Sequence, residues 1–263
     1  GHIISSTIEH KSVLAALEVL EKDGHAVTLL APNADGRIEP EAVAAALRDD
    51  TILVTLMLAN NEIGSLNPIA EIAALLRGRP ADRYVLLHTD AAQAVGRIEI
   101  NVDALDVDLL SLSGHKLYGP KGVGALYVRA RTGAKLAPLI RGGGQESGRR
   151  GGTLNVPGIV GLGRASELAR AELHSEPKRV GALRDRLQRT LRESIPGLVI
   201  NGAEAHRLPG NLSVSLPGVS GDTLMKRLVE RLAVSSGSAC AAGSDDVSHV
   251  LRGIGLDQAL ARA

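Results

Sequence analysis

One lysine lies at the centre of the segment Ser111 to Gly122, between a serine, a histidine and a glycine-rich turn. The apolar run from Val107 to Leu112, interrupted by Asp108, precedes it and predicts a buried strand that would present Lys116 at its end. An amine buried beside other polar groups can lose its proton near neutral pH and attack a carbonyl carbon to form a Schiff base. The segment therefore has the ingredients of an aldehyde-binding site. The alternative is a surface turn with a solvated lysine.

Strand-like and helix-like segments alternate along the first half of the chain. Short apolar runs predict strands, at 2–6, 26–30, 51–58, 84–88 and 107–112. Helical spacing of apolar residues is found between several of them. This rhythm implies right-handed crossovers, and therefore an α/β fold with a mostly parallel sheet and helices on both faces. Ligands of such sheets bind at the carboxyl ends of the strands.

Polar side chains follow four of these predicted strands and would meet at one edge of the sheet. They are His10, Asn61, Asp90 with Gln93, and Ser113 with His115 and Lys116. Taken singly, each has a structural explanation: His10 could begin a helix, Asn61 could form a turn and Asp90 could cap a helix. Their occurrence after four strands favours a common binding site.

The second half of the chain has a different character. A loop rich in glycine and arginine, 141–153, could bind an anion through its backbone N–H groups or serve as a flexible connector. A helical stretch over 159–195, with a break near Pro177, leads to predicted strands at 198–201 and 211–216 and a helix at 222–232. We predict a large domain over 1–173 and a small α+β domain over 174–263.

Cys240 is the single cysteine, which excludes an intrachain disulfide and a cysteine-rich metal site. The eight histidines lack the close spacing of a zinc motif, so we expect no metal. Serine, glycine and alanine surround Cys240 and favour an exposed loop, and exposure is what a reactive thiolate needs. A small buried hydrophobe is the alternative.

The overall composition excludes several classes of function. A net charge of +1 gives no general attraction to nucleic acid or anionic lipid, and three tyrosines without tryptophan or phenylalanine offer no stacking platform for single strands. No apolar run has membrane-spanning length. Without a recognisable signal peptide, the cytoplasm is the expected location. Because the chain opens directly in a strand-like run without an initiator methionine, we expect it to be part of a longer protein.

Taken together, these motifs resemble those of the cysteine desulfurases, pyridoxal-phosphate enzymes of the aminotransferase class V type. The matching segments occur in order along almost the whole chain: 7–11, 60–64, 88–93, 113–122, 142–146, 150–153 and 236–240. The resemblance implies the pyridoxal-phosphate-dependent transferase fold, aspartate aminotransferase-like. The length of the segment after Cys240 is similar to that of the family's long-loop branch. The resemblance also implies that a phosphate-binding Gly/Thr loop precedes His2 and that an arginine for the substrate carboxylate follows Ala263.

The resemblance further implies a role for each site residue. Lys116 would hold the cofactor aldehyde as a Schiff base and then move the substrate Cα proton. Asp90 would pair with the pyridinium nitrogen, which keeps the ring an electron sink. Gln93 would donate to the ring hydroxylate, and His10 would stack on the ring.

Other residues would contact the phosphate and the substrate. Ser113 and His115 would bind the phosphate, and Thr153 would reach the phosphate of a neighbouring subunit, which implies a homodimer. Asn61 would contact the carboxylate of L-cysteine. Cys240 would take the sulfur as a persulfide and leave alanine, and its movement between cofactor and acceptor requires a flexible loop.

The acceptor would be a protein such as an iron–sulfur scaffold or a sulfur carrier, in an iron–sulfur or thiolation pathway. Selenocysteine lyase shares the fold, the lysine and the mobile cysteine, and is one alternative. A class V aminotransferase has no use for Cys240. A non-catalytic remnant that serves as a binding or scaffold protein is the alternative from a different class.

Overall fold

A computed structural model describes residues 1–132, 136–235 and 247–263. Its main sheet has six strands in the order β2-β1-β3-β4-β5-β6. The strands are β1 (His2–Ser6), β2 (Ala26–Leu30), β3 (Thr51–Thr55), β4 (Leu86–Asp90), β5 (Leu109–Ser113) and β6 (Gly124–Val128). The first five are parallel, and β6 pairs antiparallel with β5. The mostly parallel α/β sheet expected from the sequence is confirmed.

Helices connect the strands of this sheet and continue after it. They are α1 (Lys11–Lys22), α2 (Pro40–Ala46), α3 (Ile69–Arg77), α4 (Val102–Leu105), α5 (Val156–Glu172), α6 (Glu176–Ser194), α7 (Gly221–Leu228), α8 (His249–Gly253) and α9 (Gln258–Ala261). A two-stranded antiparallel sheet, β7 (Val199–Ile200) with β8 (Val214–Ser215), lies between α6 and α7. Among the described residues, no helix is both long and apolar enough to cross a membrane.

The core is aliphatic because the chain has no phenylalanine or tryptophan. Ile4, Val54, Leu87 and Leu110, from four neighbouring strands, belong to one cluster of buried side chains. Helix α3 joins this cluster through Ile69, Ile72, Ala73 and Leu76, at the i, i+3, i+4, i+7 spacing of a helix with one apolar face. This packing fixes the central strands, whose carboxyl ends hold the candidate site.

Strand ends differ from the sequence prediction where apolar runs continue past them. Strand β3 ends at Thr55 rather than at residue 58. The apolar run is longer than the strand, since Leu56, Met57 and Leu58 are buried although they lie beyond its end. Strand β4 begins two residues later than expected because Tyr84 turns its hydroxyl to Asp108, 2.6 Å away, before the ladder starts. The expected break near Pro177 is confirmed, since α5 ends at Glu172 and α6 begins at Glu176.

A network of charged and polar groups joins the strands at their amino ends. Asp108, which has no exposed surface, accepts hydrogen bonds from Arg77 Nη2 at 2.8 Å, Tyr84 Oη at 2.6 Å and Leu87 N at 2.8 Å. Arg129, just after β6, donates to the carbonyl of Val107 at 2.8 Å. These contacts hold β4, β5 and β6 together at the end opposite to the candidate site.

Candidate active site

Lys116 lies in a short 3-10 turn, Gly114–Leu117, that directly follows β5. Gly114 is buried here, and a Cβ on it would lie 2.9 Å from Val123 Cγ1 and 3.0 Å from the Val123 carbonyl oxygen, so a larger residue would displace the turn. Lys116 is partly buried, and its own carbonyl accepts a hydrogen bond from Arg97 Nη2 at 3.2 Å. The lysine is thus held at the sheet edge and is not a fully solvated surface residue.

Ser113 and His115 flank this turn and contact each other. Ser113 is the last residue of β5, and its Oγ lies 2.8 Å from His115 Nδ1. His115 is exposed, whereas Ser113 is partly buried. A hydroxyl and an imidazole joined in this way can together face an anion, as a phosphate-binding pair would.

Asp90 ends β4, the strand next to β5. Its Oδ1 accepts a hydrogen bond from Ala92 N at 2.8 Å, which uses one of the two carboxylate oxygens and closes a turn; among the described residues no helix begins here, so the helix-cap explanation is wrong. Gln93 follows, and its Oε1 accepts from Arg97 Nη1 at 3.2 Å. Arg97 thus contacts both Gln93 and the backbone of Lys116. The sequence analysis missed this residue, because its contact with Gln93 forms within a turn and not at the regular spacing of a helix face.

His88 lies behind Asp90 and joins three strands. Its Nδ1 is 2.7 Å from Thr55 Oγ1 on β3, and its Nε2 is 3.2 Å from Ser111 Oγ on β5. Burial lowers the pKa of His88, while the charge of Asp90 acts in the opposite direction. His88 is therefore a neutral hydrogen-bonded link that fixes the spacing of the strands below the site.

His10 follows β1 and begins α1. Its Nδ1 accepts from Ser12 N at 3.2 Å and lies 2.8 Å from Ser12 Oγ. The helix-start explanation for His10 is therefore correct, and this contact also fixes the imidazole at the sheet edge. Glu9, immediately before it, is 1% exposed, and its Oε1 accepts from Met57 N at 2.9 Å.

The loop after β3 contains two asparagines with different surroundings. Asn60 is buried, and its side chain makes four hydrogen bonds: Nδ2 donates to the Ile8 carbonyl at 3.0 Å and to Met57 Sδ at 3.3 Å, and Oδ1 accepts from Glu62 N and Ile63 N at 2.8 and 3.1 Å. Among the residues that the structure describes, the buried Oδ1 of Asn61 has no partner. The predicted turn is present, and Asn60 holds it while Asn61 carries an unused polar atom.

Glu62, the next residue, contacts the C-terminal part of the chain. Ser248 Oγ donates to its Oε2 at 2.5 Å. Burial raises the pKa of Glu62 to about 7, although the bond from Ser248 and the charge of Lys11 act in the opposite direction. Ser248 and His249 therefore connect α8 to this edge of the sheet.

The remaining predicted site residues lie elsewhere. Thr153 is exposed in the loop before α5, outside the cluster formed by the four strand ends. Cys240 lies outside the described residues. In the part of the chain that the structure describes, no group of three His, Cys, Asp or Glu side chains could hold a metal ion.

The edge formed by β1, β3, β4 and β5 thus combines a lysine, an acid, an imidazole and buried polar atoms without partners. Thr7 Oγ1, Glu9 Oε2 and Asn61 Oδ1 are all buried and unpartnered among the described residues. Because buried polar atoms are normally hydrogen-bonded, such a group at one sheet edge indicates a bound molecule or ordered water. The fold defines an α/β protein whose candidate ligand site is the sheet edge that carries Lys116.

Comparison with known proteins gives the family. The family model for aminotransferase class-V matches residues 1–262, and the chain belongs to this family. Its members and the cysteine desulfurases use pyridoxal phosphate. The residues present fit that cofactor, because Lys116 and Asp90 follow adjacent strands and the buried polar atoms without partners among the described residues leave hydrogen-bonding capacity for a ligand.

Named relatives agree with this assignment. The chain is 50% identical over 262 residues to "Cysteine desulfurase IscS" of Anaeromyxobacter dehalogenans and of Pseudomonas aeruginosa, and spans 64% and 63% of their lengths. In both matches all of this chain is covered.

Solved structures with the same fold include a NifS-like protein and SspA in complex with cysteine. The NifS-like protein is 37% identical with a TM-score of 0.89, covering 99% of this chain and 67% of its own. SspA is 40% identical with a TM-score of 0.82, covering 100% of this chain and 71% of its own. The pyridoxal-phosphate-dependent transferase fold expected from the sequence is confirmed.

Proposed function

We propose that this chain carries the catalytic core of a cysteine desulfurase, which converts L-cysteine to L-alanine and transfers the sulfur to Cys240. The observation that carries the proposal is that Asn61, Asp90 and Lys116 lie at or after the carboxyl ends of three neighbouring strands, on an edge where buried polar atoms have no partner among the described residues. The identity of 50% to proteins named cysteine desulfurases supports this reaction. A solved relative titled as a complex with cysteine supports the substrate.

The residues at the sheet edge would hold the cofactor from several sides. Lys116 Nζ would bind its aldehyde, and the Asp90 carboxylate would pair with its ring nitrogen. His10 would cover the ring face, and Gln93 would donate to the ring oxygen. Arg97 already fixes Gln93 and the Lys116 backbone, so both groups are positioned before any ligand binds.

The phosphate would lie at the turn after β5. Ser113 Oγ and His115 Nδ1 are 2.8 Å apart, and this contact would orient the serine hydroxyl and the imidazole toward the phosphate oxygens. The exposed position of His115 leaves it accessible to a ligand.

When bound, the cofactor supplies an electron sink for negative charge at the substrate Cα. The neutral amine of Lys116 would take the proton from Cα and return it, at Nζ, in the later steps. Asn61 would hold the substrate carboxylate through its amide, whose donor and acceptor atoms exchange by rotation about the last side-chain bond.

The thiolate of Cys240 would then attack the sulfur of the bound cysteine. A bond forms between the two sulfur atoms as the substrate bond between Cβ and sulfur breaks, and its electron pair remains with the carbon part. That part gains protons and leaves as alanine, so carbon is reduced while both sulfurs are oxidised to the persulfide level. No outside oxidant or reductant is needed.

The proposal includes a homodimer in which Thr153 contacts the phosphate of the neighbouring subunit. Large apolar side chains are exposed close to Thr153, at Leu154, Val156, Ile159 and Val160, with exposed fractions of 38%, 59%, 43% and 65%. Contiguous exposed apolar residues are typical of a surface that another chain covers. They support a subunit interface at the start of α5.

Three further statements remain predictions from the sequence: a sulfur-acceptor protein as partner, a location in the cytoplasm, and the division into domains at 1–173 and 174–263. Selenocysteine lyase is the second candidate, because the same lysine and cysteine serve it. The two differ in turnover, since a lyase barely uses cysteine.

The proposal is tested by measuring alanine formation from L-cysteine and from L-selenocysteine, and by isolating the sulfur-loaded protein. We expect alanine from cysteine and a persulfide on Cys240, both lost in Cys240→Ser and retained in Ser244→Ala as the matched control. Retention of cysteine turnover in Cys240→Ser would contradict the persulfide mechanism. Turnover of selenocysteine alone would assign the protein as a lyase, and turnover of neither would favour the binding or scaffold role.

A further inference from the structure

Glu9 is a buried carboxyl group to which the proposed mechanism gives no role. It lies between β1 and His10 and is 1% exposed. Its Oε1 accepts a hydrogen bond from Met57 N at 2.9 Å, and its Oε2 is buried without a partner among the described residues. An ionised carboxylate in such a place would lose much hydration for one hydrogen bond, which is unfavourable.

Several contacts hold the segment that contains Glu9. Asn60 Nδ2 donates to the carbonyl of Ile8 at 3.0 Å, and His249 Nε2 lies 3.0 Å from the carbonyl oxygen of Glu9. The bond from Met57 N to Glu9 adds a tie to the chain just after β3. Glu9 thus fixes the position of His10 relative to the loop that carries Asn61.

Its charge state follows from these surroundings. Burial raises the pKa of Glu9 to about 8, the negative charge of Asp90 on β4 adds to this effect, and the hydrogen bond from Met57 N opposes it. Other titratable groups near the segment are His10, on the same segment, and His249, from α8. Near pH 7, Glu9 therefore carries a proton.

We propose that Glu9 is a positioning residue of the cofactor site that works as a neutral acid. Its acceptor oxygen ties the ends of β1 and β3 and so places His10, and its proton keeps a second negative charge away from Asp90. Two carboxylates in one site do not both ionise readily, so their different surroundings separate their roles. The inference rests on the proposed function, in which Asp90 pairs with the cofactor ring nitrogen.

The protonation of Glu9 can be measured directly by a carbon-13 NMR titration of the chain with labelled glutamate side chains and no added cofactor. We expect a carboxyl signal that reports mostly the protonated form at pH 7 and is missing in Glu9→Gln, beside a Glu62 signal near the middle of its own titration. Glu62→Gln is the matched control, since it removes the other buried acid of this edge and should leave the Glu9 signal in place. A Glu9 carboxyl already ionised at pH 6 would overturn the proposal.

The positioning role is tested by binding of pyridoxal phosphate at pH 7. Glu9→Gln keeps an acceptor for Met57 N and no charge, so its dissociation constant should stay within about twofold of the parent chain. Glu9→Ala removes the tie and should weaken binding by about tenfold or more. A Gln variant that binds as poorly as the Ala variant, or that does not fold, would overturn the neutral-acid role. If the parent chain bound no pyridoxal phosphate, the proposed function would fail, whereas the titration would still decide the protonation of Glu9.

Discussion

The two ends of the central strands carry similar types of polar residue, but the buried polar atoms at the two ends are hydrogen-bonded to different degrees. At the amino ends, Asp108 is fully buried and accepts three hydrogen bonds, one of them from Arg77. At the carboxyl ends, Glu9 and Asn61 each have a buried oxygen without a partner among the described residues. The first arrangement stabilises the fold, and the second leaves hydrogen-bonding capacity for a ligand.

Histidines show the same contrast. His2, at the amino end of β1, has no exposed surface, and its two ring nitrogens lie 2.8 Å from Thr51 Oγ1 and Thr28 Oγ1. His10, beyond the carboxyl end of the same strand, is partly exposed and uses Nδ1 for Ser12. A histidine whose ring contacts are both internal is structural, whereas one held by a single nitrogen is positioned to face a ligand.

The largest loss of stability should follow from removing the buried acid at the amino ends of the strands. Asp108→Ala removes the acceptor of Arg77, Tyr84 and Leu87 in a fully buried place, and should lower the free energy of unfolding by about 3 to 5 kcal/mol. Asp106→Asn is the matched control, because this partner of Arg77 is 31% exposed and asparagine tolerates its left-handed φ of 47°, so the change should cost about 1 kcal/mol or less. Urea unfolding of both variants measures the difference. Equal losses would contradict the distinction between the two acids.

The pH dependence of stability should report the protonation of Glu9, the buried acid at the carboxyl ends of the strands. Glu9 has a pKa of about 8 in the fold, against 4.5 without its surroundings, so the folded state holds a proton that the unfolded state releases in this range. The free energy of unfolding therefore falls as pH rises from about 4.5 to about 8, and this contribution is constant above it. The free energy of unfolding of Glu9→Gln, relative to that of the parent chain, should therefore rise by on the order of 3 kcal/mol between pH 5 and pH 8. A constant difference between the two proteins would show that Glu9 is ionised throughout.

The neighbours Asn60 and Asn61 provide a finer comparison within the carboxyl end. Asn60→Ala removes four hydrogen bonds of a buried side chain and should cost about 2 to 3 kcal/mol of stability. Asn61→Ala removes an oxygen without a partner and should cost about 0.5 kcal/mol or less. Substrate binding should show the reverse order, with Asn61→Ala weaker by about tenfold in a calorimetric titration. Loss of stability in both variants with unchanged binding would make both asparagines structural.

Much of this fold could be predicted from the sequence because its strands are short apolar runs separated by helical patterns. Parallel strands place their carboxyl ends at one edge, so the positions of His10, Asn61, Asp90 and Lys116 at or after neighbouring strand ends could be predicted from topology. The exact ends of β3 and β4 could not be predicted. Buried apolar residues occur both within a strand and in the segments next to it, so an apolar run does not mark where the strand begins or ends. Helix α4 was missed since its four residues show no period, although Asn101, which caps it, gave a local signal.

The electrostatics of the site could not be predicted in the same way. The raised pKa values of Glu9 and Glu62 depend on burial by distant parts of the chain, such as Ser248 against Glu62. Sequence spacing does not encode such burial. Arg97 escaped notice for a related reason, because its contact with the Lys116 carbonyl joins turns that follow different strands.

The most direct test of the carboxyl edge as a cofactor site is an absorption spectrum of the purified chain after addition of pyridoxal phosphate and removal of the excess. We expect a visible band that is absent in Lys116→Ala, retained in Lys121→Ala, and shifted when L-cysteine is added. Lys121 is exposed in the same turn region and therefore serves as the matched control. A band of equal strength in all three proteins, or in none of them, would contradict the assignment of Lys116 as the residue that holds the cofactor.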